Sequence, residues 1–137
     1  MKFVETYTFE ESGYQKLFHH QEWRVAMLNY IDELEIDNLE YVESHTDTDE
    51  VFVLLNGSCT IYAAELKDGM INHFHTIKLE PHKIYKVPAG IYHTHTLSKD
   101  AKVLVIEQED TSYDNSPRIY FTKEEKEMLK KQHEELT

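Results

Sequence analysis

Residues 43–50 read Glu-Ser-His-Thr-Asp-Thr-Asp-Glu, and an apolar run, Val-Phe-Val-Leu-Leu, follows at once. Carboxylates and an imidazole at this density form either a solvated acidic loop or half of a metal site. On an extended strand, alternate side chains share a face. Glu43 and His45 are therefore expected side by side, and Glu50 shares the face of Phe52 and Leu54. His93, His95 and Leu97 share a face on a later strand. A carboxylate that opens an apolar strand face needs a partner, because burying a bare charge is costly. Two imidazoles with one or two carboxylates suit Mn, Fe, Co, Ni or Zn. The spacing leaves open whether these side chains converge.

Other residues extend the list. His95 follows His93 by two and is either a proton-transfer group or a histidine packed in the wall. His73 and His75 form a second His-x-His pair on a strand. If they face inward they line the same cavity, together with Tyr62, Tyr85 and Tyr92, whose rings and hydroxyls suit a substrate pocket. His19, His20 and His133 read as surface residues. Cys59 reads as a small core residue on the face of Ile61 and Ala63. No Cys/His nucleophile pair has an orienting group, and with four glycines in the chain a phosphate-cradling loop is hard to build.

The elements that must position these groups are mostly strands. Val51 to Leu55 ends at Asn56-Gly57, a strong turn signal, so a second strand is expected at 59–63. Further strands are expected at 23–30, 39–43, 71–79, 84–87, 91–97, 103–107 and 118–121. Many short strands with turn residues between them indicate an antiparallel sandwich or barrel. Residues 51–55 are apolar on both faces, so this strand is expected to be covered on both sides, by the N-terminal segment or by a second subunit. A homodimer follows from that reading. One helix is expected, at 123–135, opened by the capping pattern Thr122-Lys-Glu-Glu125 and carrying Met128, Leu129 and Leu136 along one stripe. Residues 10–20 hold at most a short helical turn.

The bulk composition narrows the function. A chain of 137 residues suits one domain that folds without staples. A formal net charge of −12 argues against a nucleic-acid partner, which needs clustered Lys and Arg. A lone cysteine excludes an internal disulfide framework. The first residues carry acids early and no apolar core of signal-peptide length, and no run of 18 apolar residues occurs. A cytoplasmic protein off the membrane is expected.

Two short motifs give a family resemblance. The stretch Glu43-Ser-His45-Thr-Asp-Thr-Asp-Glu50-Val-Phe-Val-Leu-Leu-Asn-Gly57 has the spacing of the first cupin motif, His-x-His, four residues, Glu, six residues, Gly. Pro88-Ala-Gly90-Ile-Tyr-His93 resembles the second, with Leu97 where Asn is usual. The chain resembles the cupin superfamily over about residues 40–97. The resemblance implies an all-β, antiparallel jelly-roll barrel spanning 1–137 as one domain. An N-terminal strand segment at 1–35 and the C-terminal helix near 123–135 flank the motif core. It also implies that the metal ligands fall on Glu43, His45, Glu50 and His93. Glu43 stands where the family's first His is usual, which makes the set two imidazoles and two carboxylates and leans toward Mn or Fe.

The function implied is metal-dependent chemistry on a small polar substrate, of dioxygenase or sugar-isomerase type, with His95 as the catalytic proton carrier. The alternatives are a non-catalytic small-molecule sensor and a metal-free epimerase-type cupin that uses His and Tyr as acid and base.

Overall fold

A computed structural model describes residues 3–136. Its strands are β1 Tyr14–His20, β2 Trp23–Asn29, β3 Tyr41–Glu43, β4 Glu50–Asn56, β5 Cys59–Lys67, β6 Met70–Lys78, β7 Tyr85–Val87, β8 His93–Leu97, β9 Lys102–Gln108 and β10 Arg118–Tyr120. One helix, α1 Lys123–Glu135, closes the order. The strands form two five-stranded sheets. Sheet I runs β1-β2-β9-β4-β7 and sheet II runs β10-β3-β8-β5-β6. Among the described residues every strand pairing is antiparallel. The two sheets curl toward each other as a jelly-roll half-barrel.

Two glycines set turns that the site depends on. Gly57 (φ +68°) follows β4, and a Cβ there would lie 2.6 Å from Asp100 Oδ1 and Ser98 Oγ. Only glycine meets both demands. Gly90 (φ +84°) turns the chain after Pro88, and its N–H donates to the His45 carbonyl at 2.9 Å. The two histidine-bearing segments are thereby tied together through backbone.

The main core lies between the sheets. Ala26, Leu28, Phe52, Leu54, Val103 and Val105 of sheet I meet Cys59, Ile61 and Leu97 of sheet II. A second core lies on the outer face of sheet II, where Val42, Tyr62, Ala64, Ile71 and Phe74 pack against Leu129 of α1. Sheet II is therefore buried on both faces, and β5 reads as a nearly continuous buried run. β9 alternates instead, with Val103, Val105 and Glu107 turned inward. The helix forms as its sequence predicts. Thr122 Oγ1 accepts from the Glu125 N–H at 3.1 Å, and Glu125 Oε1 accepts from the Thr122 N–H at 2.9 Å.

Two expectations are corrected. Residues 14–20 form strand β1 rather than a helical turn, because their partner β2 lies just past the Gln21-Glu22 turn. The N-terminal segment does not cover the outer face of β4, where Val51 and Val53 are half-buried and Leu55 is 50% exposed. It instead crosses the end of β2, where Asn29 Nδ2 donates to the carbonyls of Phe9 and Glu11 at 3.0 and 2.7 Å.

Candidate metal centre

A cavity of about 480 Å³ opens between the sheets. Its floor carries His45, Glu50 and His93, and ligand atoms of these three lie within 4.8 Å of one another. They arrive from both layers. Glu50 opens β4 in sheet I; His93 opens β8 in sheet II, and His45 lies just past the end of β3. Both imidazoles turn Nε2 toward the same atom: Glu50 Oε1 is 3.1 Å from His45 Nε2 and 2.9 Å from His93 Nε2.

The opposite nitrogens are fixed by oxygen partners. His93 Nδ1 lies 3.0 Å from the Ile91 carbonyl, which can only accept, so Nδ1 carries the hydrogen. His45 Nδ1 lies 2.8 Å from Ser116 Oγ, whose own hydroxyl points at Asn115 Oδ1 at 3.4 Å. In the neutral rings both Nε2 atoms then hold lone pairs aimed at a carboxylate oxygen. Three acceptors facing one another require a positive charge between them, a proton or a metal ion. This donor set fits a divalent cation of the borderline class.

The electrostatics agree. Burial alone would raise the Glu50 pKa, yet its contacts with the His45 and His93 rings, which become donors once protonated, outweigh it and hold the carboxyl well below its ordinary range. Burial alone would lower His45, but the hydrogen bond and charge of Glu50 prevail and raise it. His95 lines the same cavity beside Phe52, with ring centroids 5.7 Å apart. Burial, then the neighbouring His93, pushes it down to about 4. Its Nδ1 is buried without a hydrogen-bond partner.

Glu43 reaches the cavity wall, but its carboxylate is not among the three converging donors. Its Oε2 accepts from Arg118 Nε at 2.9 Å. Arg118 is itself stacked between the rings of Tyr41, at 4.1 Å, and Tyr113, at 4.7 Å.

The five residues expected in a substrate pocket lie elsewhere; Tyr85 packs against the main core, and its hydroxyl accepts from the Glu80 N–H at 2.9 Å. Tyr62 is fully buried on the outer face of sheet II and bonds to His133 of α1 at 2.5 Å. His133 thereby leaves the surface role expected for it. Tyr92 packs into the same outer core. Both stand one residue out of step with Ile61 and His93, so alternation sends them outward. His73 and His75 share the inner face with Ala63, but β6 is the sheet edge and both are exposed. His75 Nε2 pairs with Glu65 at 3.0 Å.

Like Ser116 and Arg118, the cavity residues Glu107 and Tyr14 were not singled out in the sequence. Glu107 projects inward from β9, and its Oε1 accepts from the Tyr14 hydroxyl at 2.6 Å. Its Oε2 is buried without a partner. Burial, then the adjacent Glu50, pushes its pKa up to about 8. The signal for Glu107 was its parity with Val103 and Val105. Tyr14 had none, since its strand was not recognised.

No family model matches the chain, and no curated protein does. Solved structures do. A cupin-2 domain protein from Shewanella frigidimarina is 21% identical, with 74% of this chain and 85% of that chain covered at a TM-score of 0.53. A cupin superfamily protein from Desulfitobacterium hafniense is 19% identical, with 74% and 84% covered at 0.51. Streptomyces Pac13 crystallised with uridine, a protein described as a nucleoside dehydratase, is 10% identical, with 90% and 96% covered at 0.60. Two curled antiparallel sheets, both motifs at their spacing and these likenesses together give this chain the fold of a small cupin.

Proposed function

We propose that this protein is a metal-dependent enzyme acting on a small polar substrate, with the metal held by His45, Glu50 and His93. The observation that carries this reading is the pair of imidazoles whose Nδ1 atoms face oxygens and whose Nε2 atoms meet at Glu50 Oε1. Bound there, Mn, Fe, Co, Ni or Zn supplies Lewis-acid or oxygen-activating chemistry, of sugar-isomerase or dioxygenase type. Ile91 and Ser116 orient the two rings. Phe52, Leu28 and Val105 give the cavity an apolar wall that limits water. His95 is the proposed catalytic proton carrier. Its burial keeps the ring neutral at pH 7, so the ring is free to take up a proton.

Elemental analysis of protein purified without added metal tests this reading, beside a His93→Ala variant. Near-stoichiometric metal that is lost in the variant supports it. No metal, and no uptake on titration with the five ions, would sink it. A metal-free acid–base enzyme is the second reading. The Tyr14–Glu107 hydrogen bond inside the cavity favours it, and the metal-free outcome would select it.

The outer face of sheet I presents half-buried Val25, Val51, Val53, Leu104 and Ile106 beside Trp23, which is 46% exposed. We propose a homodimer through this face, to be checked by light scattering on a Val53→Glu variant. Free, buried Cys59 suits the cytoplasm proposed for it. Among the described residues no helix is long and apolar enough to cross a membrane.

A further inference from the structure

Arg118, Glu43 and His93 stand in one row across sheet II. Arg118 pairs directly with Glu43 between β10 and β3, and Glu43 pairs directly with His93 between β3 and β8. Directly opposed residues in an antiparallel sheet project from the same face, with strands about 4.8 Å apart. All three line the cavity. Glu43 therefore has a neighbour on each side that could claim its carboxylate: the guanidinium on one, and a cation held beside His93 on the other. The guanidinium claims it. Arg118 Nε lies 2.9 Å from Glu43 Oε2, and the Tyr41 and Tyr113 rings clamp the guanidinium plane. Such a planar, charge-assisted contact is stronger than a neutral hydrogen bond, and stacking leaves the fork little freedom to turn.

We infer that Arg118 sets the number of protein ligands at the centre by withholding Glu43. While the ion pair stands, a cation meets three protein donors, His45, Glu50 and His93. Once it is broken, Glu43, the cross-strand neighbour of His93, is free to turn toward the cation as a fourth donor. Three donors leave one more position for substrate than four do, so Arg118 acts as a positioning residue that keeps the site open. This inference rests on the metal-centre reading above.

Calorimetric titration with Mn²⁺ tests it on metal-stripped wild type, Arg118→Met, Glu43→Gln and the double variant. Arg118→Met is expected to bind Mn²⁺ at least tenfold more tightly than wild type, and the double variant is expected to lose that gain. Glu43→Gln alone is expected to bind as wild type does. A tenfold or greater loss in Glu43→Gln would show that Glu43 already ligates and would overturn the inference. So would unchanged or weaker binding in a folded Arg118→Met. If Arg118→Met does not fold, Arg118→Gln takes its place, with the same tenfold gain expected and its absence in the folded variant overturning the inference. No Mn²⁺ binding by wild type, nor by a control loaded with Co²⁺ or Zn²⁺, marks a failure of the metal centre itself and not of the role of Arg118.

Discussion

The hydroxyl of Ser116 stands 2.8 Å behind Nδ1 of His45, a partner 71 residues away in the chain. Ser116 is almost fully buried, and its hydroxyl is directed onward to Asn115. An oxygen in this place fixes which ring nitrogen carries the hydrogen and keeps the other ready to ligate. Ser116→Ala should weaken metal affinity about tenfold while leaving the fold intact, since outer partners of ligating histidines are worth roughly 10–100-fold. Metal titration of the variant, with circular dichroism as the folding control, checks this. Unchanged affinity would mean that the ring is oriented by packing alone.

Glu107 gives a pH prediction for the metal-stripped protein. Its folded-state pKa is pushed up to about 8, above the ordinary carboxylate value, so the folded chain holds a proton that the unfolded chain has released. Between about pH 4.5 and 8 folding then takes up a proton, and stability falls as pH rises. Glu107→Gln carries no such cost. Its melting temperature should match wild type near pH 4.5 and exceed it by a few degrees at pH 8. A variant that melts lower than wild type at pH 8 would contradict this.

Glu125 does two jobs at once. One oxygen caps α1 through the Thr122 N–H, and the other accepts from the Ile71 N–H of β6 at 2.8 Å. Glu125→Ala loses the cap and leaves a buried backbone donor unpaired, a combined cost of about 2–4 kcal/mol. Denaturant titration should show a loss larger than that of Thr122→Ala, which removes only the cap, at about 1 kcal/mol. Equal losses would show that the Ile71 contact contributes nothing.

Cys59 is fully buried, and burial pushes its thiol up to about 12. At pH 8 it is protonated and shielded, so a disulfide reagent should label the native protein very slowly and the denatured protein within minutes. Rapid labelling of the native state would place Cys59 near solvent.

The sequence was most legible where chemistry is local. His45, Glu50 and His93 could be singled out because Glu50 and His93 open short strands, His45 lies just past the end of another, and all three fall at motif spacing. A sandwich or barrel and α1 followed from turn residues and a capping pattern, and the jelly roll from the resemblance carried by the two motifs. What failed depended on which face of a sheet meets the cavity. Alternation separates Tyr62 from Ile61 and Tyr92 from His93, but sheet II is buried on both sides, so an apolar neighbourhood does not say which side is inward. His73 and His75 had the correct parity and the wrong place, because β6 lies at an edge. Glu43 reached the cavity as expected, but its partner Arg118 lies 75 residues on, and no local pattern announces that pairing. β1 was missed because its exposure barely alternates and its pairing with β2 is broken by a bulge between Lys16 and Phe18.

Glu50 belongs to one sheet, and the two imidazoles it meets belong to the other. The three residues therefore act as a clasp between the two layers of the sandwich. Its strength depends on what sits between the nitrogens and the oxygen. A shared proton makes a loose clasp that opens as the layers breathe. A divalent ion makes a tight one, so occupancy of the site would set how far the mouth of the cavity gapes.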